Sequence, residues 1–255
     1  MPRLHFIWLM VILMAMVSAA GCATIVPPDT PAAPATPTST DTPEPPLDAV
    51  TVLERAANRV IDLRTATFVL DRRKGSTTLF PGVEMTRVSG AVEFPDKYRL
   101  VVEARSTTPQ AYIEVAVVSV GGVVQMTDFF TGRWQEVPQS VLPVDFSQLA
   151  VSLAEIIQAV ISDEAVGPKL VGTETLAGVE TQHISGSIKS QGLAGIVPGA
   201  GDGFDVTVDF WVELPEGQVH HVLITGRVLG TDVPDAERLL TRADFDLPVT
   251  IDLPE

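Results

Sequence analysis

The residues able to carry chemistry are few. Four histidines and one cysteine stand among 255 residues that include 32 acidic and 17 basic side chains, a formal charge of −15. His220 and His221 are adjacent on a predicted strand, where neighbours point to opposite faces, so they do not converge on one metal. His183 stands alone, and His5 sits in the apolar N-terminal run. The stretch from Gly199 to Asp205, GAGDGFD, has the composition of a calcium turn but lacks the ligand spacing of an EF-hand and reads as a flexible loop. Acidic pairs such as Asp244 and Asp246 are ordinary in so acidic a chain. There is no G-x-S-x-G elbow, no H-E-x-x-H helix and no phosphate-binding G-x-x-x-x-G-K-[ST] loop. The chain is therefore read as not an enzyme, with no metal and no cofactor. Its acidity argues against nucleic acid, which is gripped by clustered Lys and Arg. One cysteine excludes an intramolecular disulfide, a Cys-based zinc site and an iron–sulfur cluster.

The position of that cysteine, Cys22, says more than its number. Residues 1–21, MPRLHFIWLMVILMAMVSAAG, place Arg3 before an apolar run from Phe6 to Val17 and end in small residues. This is the three-part pattern of a secretory signal, and the run is short for a membrane span of roughly 20 residues. Ala19-Ala20-Gly21-Cys22 resembles a bacterial lipobox, with Ala19 where an aliphatic residue such as Leu is usual. Such a site is cut before the cysteine, whose thiol then carries diacylglycerol, and two or more acyl chains give stable attachment. Losing residues 1–21 removes Arg3 and no acid, so acyl chains rather than charge must hold the processed chain to an anionic surface. The expected location is the extracytoplasmic side of the cell membrane.

Residues 22–48 carry the cysteine and a Pro/Thr-rich tract, which favours extended polyproline and reads as a tether. Order is expected from about residue 49 to 255. Thr51-Val52-Leu53-Glu54 matches a capping box, and Leu53, Ala56, Ala57, Val60 and Ile61 recur at helical spacing to about residue 63. Strands are predicted from Thr67, through Val88–Phe94, through Tyr98–Val102, over 111–120 and over Val123–Thr127, with a hairpin turn at Gly121-Gly122 and a tight turn at Thr131–Trp134. A helix within Ser147–Asp163 presents Leu149, Leu153, Ile156, Ile157, Val160 and Ile161. Further strands are predicted near 169–175, 179–189, 204–213 and 218–229, with a short one at Val249–Ile251. Helix, strands, helix, strands implies one α+β domain: a curved antiparallel sheet with helices on one face. The segment 190–203, SQGLAGIVPGAGDG, reads from composition alone as an ordinary hairpin loop.

Four blocks then take on meaning together: Val120–Gln125 with Asp128 and Thr131–Trp134; Val171–Val179 continuing to His183–Gly186; Phe210–Glu213; and Phe245–Pro254. In this order behind a lipobox, they resemble the LppX/LprA/LprF/LprG family of bacterial lipoproteins, related in fold to the LolA/LolB carriers, over roughly residues 50–255. The resemblance implies a half-barrel, a strongly curved antiparallel sheet cupping helices around a hydrophobic cavity. It further implies that acylated lipids or glycolipids are bound there and moved within the envelope, with a membrane transporter as candidate partner. The protein is expected to act as a monomer.

Under that resemblance the expected cavity lining is Val88, Val92, Phe94, Leu100, Val102, Ile113, Val115, Val117, Leu149, Leu153 and Ile157. Segment 190–203 becomes a candidate gate through Leu193, Ile196 and Val197, while Trp134 and Trp211 are expected to pack. The alternative is an envelope-sensing module of the RseB kind that contacts a membrane regulator. An inert scaffold with a closed core is a third reading, which an apolar cavity of several hundred Å³ would disfavour.

Overall fold

The computed structural model describes residues 48–80, 82–163, 166–201 and 203–254, and every element below lies in one compact unit, Pro45–Glu255. The signal segment 1–21, Cys22 and the tether through residue 47 lie outside the described residues.

Helix α1 spans Ala49–Ile61. It starts before the predicted capping box, because Asp48 is the better cap. The Asp48 carboxylate accepts from the Thr51 backbone N–H at 3.0 Å and from the Thr51 hydroxyl at 2.8 Å. The hydroxyl expected to cap is thus held by the cap. Val52, Leu53, Ala56 and Val60 of α1 are essentially inaccessible to water.

Seven strands follow: β1 (Thr65–Lys74), β2 (Thr77–Phe80), β3 (Val83–Glu93), β4 (Lys97–Thr107), β5 (Gln110–Val120), β6 (Val123–Thr127) and β7 (Trp134–Val137). Gly121 and Gly122 turn the β5–β6 hairpin with φ of 58° and 82°, the positive values a two-residue turn of this kind requires. Trp134 opens β7 rather than closing a turn. Helix α2 spans Leu149–Ile161, and β8 (Lys169–Leu176), β9 (Val179–Lys189), β10 (Asp205–Glu213), β11 (Gln218–Thr225) and β12 (Glu237–Ala243) complete the chain. Two strand expectations need correction. The strand predicted over 218–229 ends at Thr225, and Val249–Ile251 forms no strand, although Ile251 is buried. The final strand is instead β12.

The strands form one antiparallel sheet in the order β7-β6-β5-β4-β3-β1-β12-β11-β10-β9-β8, with β2 paired to β3. The first and last strands meet at its centre, so β12 joins the two halves. The sheet is open, with β7 and β8 at its edges. The helices pack on each other, α1 also against β10 and β11, and α2 against β9. Two glycines permit this approach. A Cβ at Gly186 of β9 would lie 2.3 Å from Val160 Cγ1, and one at Gly195 would lie 2.4 Å from Ser152 Oγ. Helix α2 is thereby seated between β9 and the segment that follows it.

Candidate functional site

Cross-strand register settles which side chains share the helix-covered face, because directly opposed residues project to the same side. Ala66, Val92, Tyr98, Ser119 and Val124 form one row across the strands from β1 to β6. Phe68, Gly90, Leu100, Val117 and Met126 form the next. Leu70, Val88, Val102 and Val115 form a third, and Met85, Ala104 and Ile113 a fourth. All seven β-strand candidates, Val88, Val92, Leu100, Val102, Ile113, Val115 and Val117, thus lie on the inner face. Phe94, two residues past Val92, is half-buried against the core.

Burial changes along these rows. Val88, Val92, Leu100 and Val117 are 1–3% exposed, whereas Val102, Ile113, Val115 and Met126 are only partly buried. The apolar face is therefore not fully covered toward Ile113. Leu153 and Ile157 of α2 are fully buried and Leu149 is half-buried. Phe146, just ahead of α2, stacks near Phe68 at 6.0 Å and against Tyr98 at 5.7 Å between ring centroids.

The space between α2 and the sheet is closed to about 10 Å³, lined by Ala66, Phe68, Val92, Phe94, Leu149, Ala150, Leu153 and Arg242. A larger cleft of about 320 Å³ lies beside the C-terminal end of α2, lined by Ala159, Ser162, Asp163, Ser187, Ile188, Lys189, Gln191, Gly192 and Asp205. The exposed Lys189–Asp205 ion pair, at 2.6 Å, lies along that cleft. The space beneath α2 is far smaller than the several hundred Å³ that suits a lipid.

The candidate gate is a packed wall. Leu193 is fully buried, Val197 is 5% exposed and Ile196 is partly buried against the core. A 3₁₀ turn at Ser190–Leu193 packs against α2. The Val197 N–H donates to the Leu193 carbonyl at 2.8 Å, and the Phe204 N–H donates to Ser190 Oγ at 3.1 Å.

The polar residues sort into separate pairs. His183 sits between Glu174 at 2.8 Å and Asp209 at 3.1 Å, with Trp211 stacked on its ring at 4.3 Å. The Trp211 indole N–H, then His183, hold the Glu174 carboxyl below its ordinary value. This network ties β8, β9 and β10 together. His220 pairs with Glu213 at 2.8 Å, while His221 meets the edge of Trp211. Burial, and then His220, push the His221 imidazole down. Among the described residues no group of three His, Cys, Asp or Glu side chains is arranged to hold a metal ion.

Sequence reading missed two buried arginines on β12. Arg238 forms an ion pair with Asp232 at 2.8 Å, their side chains 3% and 0% exposed. Arg242, opposite Phe68, is 6% exposed and makes no hydrogen bond or ion pair with any described residue. Burial, and then the neighbouring Arg59, bring its guanidinium down to about 10, so it stays charged at neutral pH. The signal available beforehand was two arginines four residues apart, which marks no inward face until the pairing of β12 is known.

Among the described residues no helix is long and apolar enough to cross a membrane. No curated protein matches the chain in sequence. The structure resembles that of LprF from Mycobacterium bovis, with TM-score 0.62 and 17% identity over 81% of this chain and 96% of that one. It also resembles the lipoprotein LppX of Mycobacterium tuberculosis, with TM-score 0.54 and 17% identity over 80% of this chain and 98% of the other. At these identities the likeness establishes the curved open sheet. The sequence profile of LppX_LprAFG lipoproteins matches residues 48–251, essentially the whole described fold, and the chain belongs to that lipoprotein family.

Proposed function

We propose that this protein is a membrane-anchored lipoprotein that binds the acyl chains of lipids or glycolipids against the inner face of its sheet and carries them within the cell envelope. The observation that carries the reading is the largely apolar inner face of β3, β4 and β5, whose rows run on into the partly uncovered Val102, Val115 and Ile113. Acyl chains need such a surface, since each CH₂ removed from water is worth about 0.8 kcal/mol. Membership of a lipoprotein family supports the same reading.

Binding is non-covalent, and release involves no chemical turnover. The closed space of about 10 Å³ cannot hold a chain, so α2 and segment 190–203 move away from the sheet to admit one. Leu193, Ile196 and Val197 form the moving contact, and Val88, Val92, Phe94, Leu100, Val102, Ile113, Val115, Val117, Leu149, Leu153 and Ile157 become the lining. Cys22 holds the domain to the extracytoplasmic face of the membrane through its acyl chains, and the Pro/Thr-rich tether to residue 48 gives it reach.

Transfer of a fluorescent diacyl lipid between donor and acceptor vesicles tests this. The protein should accelerate transfer in proportion to its concentration, with hydrogen exchange in α2 and 190–203 altered by lipid. Unchanged transfer, with those segments rigid and indifferent to lipid, would reject the reading.

A further inference from the structure

Among the described residues, one charged side chain inside the cup has no counter-ion. Arg242 lies opposite Phe68 on the central strand pair, which puts its guanidinium on the inner face. It borders the closed space together with Phe68, Val92, Phe94 and Leu153. Its Nη1 is buried with no partner, and the compensation in sight is the Phe245 ring, 5.4 Å from the guanidinium carbon, a weak substitute for an anion. Arg59 is near enough to oppose the charge, but Arg59 has Asp246 as its own partner.

The same strand shows how the fold treats a buried arginine with a structural task. Arg238, four residues earlier, donates from Nη2 to both oxygens of Asp232 at 2.8 and 2.9 Å, and that carboxylate also accepts the Val228 and Leu229 N–H groups, so the Arg238 charge is neutralised although its Nε and Nη1 lack partners. Arg242 has no such arrangement. The first turn of α2, which supplies Leu149 and Ala150 to the same space, carries no acidic residue and no side-chain cap. The helix end is itself a site of partial positive charge. A buried charge without a partner is strongly unfavourable, and an anion arriving with the ligand relieves that cost.

We infer that Arg242 receives the anionic group, carboxylate or phosphate, of an acyl lipid whose chains lie against Phe68, Val92, Phe94 and Leu153. The inference rests on the lipid-binding reading above and gives that site its ligand class.

The test uses the mature protein with two matched probe pairs: a fluorescent 16-carbon fatty acid against its methyl ester, and a diacyl phosphatidate against the corresponding diacylglycerol. Charge-assisted hydrogen bonds to a buried guanidinium should favour an anionic member by about ten-fold or more. Arg242→Met should bring the anionic-to-neutral affinity ratio to about one in both pairs, and Arg242→Lys should keep part of the preference. Equal binding within both pairs by the wild type, or an undiminished preference in Arg242→Met, overturns the role of Arg242 but leaves lipid binding standing. Failure of all four probes to bind overturns the lipid-binding reading itself. Inorganic phosphate at millimolar concentration separates the sources: no thermal stabilisation agrees with a lipid headgroup, whereas an Arg242-dependent stabilisation overturns the lipid assignment in favour of a free anion. If Arg242→Met does not fold, the wild-type ratios and Arg242→Lys still decide.

Discussion

Gly186→Ala probes the contact that closes the cup. The added Cβ would meet Val160 Cγ1 at 2.3 Å, Cβ at 3.5 Å and Cγ2 at 3.6 Å. Carbon atoms rest at about 3.5–4.0 Å, so the first contact is short by more than an ångström. Val160 is fully buried, and a valine in a helix has essentially one side-chain rotamer, so it cannot swing aside. Relief must come from moving α2 off β9, at a cost of about 1–3 kcal/mol. Val160→Ala alone removes two methyl groups, worth about 1.5 kcal/mol of transfer before any cavity term. In the double variant the new methyl occupies the space the old ones left, so the two costs should not add. The expected coupling is about 1 kcal/mol or more in favour of the pair. Urea unfolding of the four proteins reads this from the midpoints at constant slope. Vesicle transfer should be faster in Gly186→Ala, because the closed state is the one destabilised. Costs that add to within about 0.3 kcal/mol, with transfer unchanged, would refute both the seating of α2 on Gly186 and its part in opening.

Three further outcomes are expected. Asp232→Ala should cost about 3–5 kcal/mol by stranding Arg238, and adding Arg238→Met should recover a large part of that in urea titrations; the loss of the Val228 and Leu229 hydrogen bonds keeps recovery incomplete. His221, with its imidazole pushed down by burial and then by His220, binds its proton less readily folded than unfolded. Its contribution is therefore complete above the ordinary imidazole range and is lost as pH falls through the lower, folded value. His221→Gln should flatten that part of the stability profile, and an identical profile would contradict the assignment. Cys22→Ala should shift the protein from the membrane to the soluble fraction and remove the acyl mass from its N-terminal peptide.

What the sequence disclosed follows from where pairing is local. Alternation in β10, where Val206, Val208, Phe210 and Val212 are buried between more exposed neighbours, identified the strand and its inward side. The same logic grouped the β3, β4 and β5 candidates, which share the helix-covered face, because each hairpin carries its partner close by in the chain. It failed at β12, ERLLTRA, where arginines occupy two inward positions and the buried Leu239 lies on the opposite side. No apolar alternation marks that strand, although it is the one that joins the halves. The four-residue strands β2 and β7 are too short to show a period. Arg242 was invisible for a related reason. Its inward direction comes from pairing with β1, well over a hundred residues away in the chain, and its lack of a partner is a property of the assembled cup.

The central claim is that the inner face holds acyl lipid, and native mass spectrometry of the protein purified gently from its own host tests it most directly. The expected result is a folded species carrying a stoichiometric acyl lipid with an anionic group, released when the protein is unfolded. Consistently empty protein that also takes up no added diacyl lipid would contradict it.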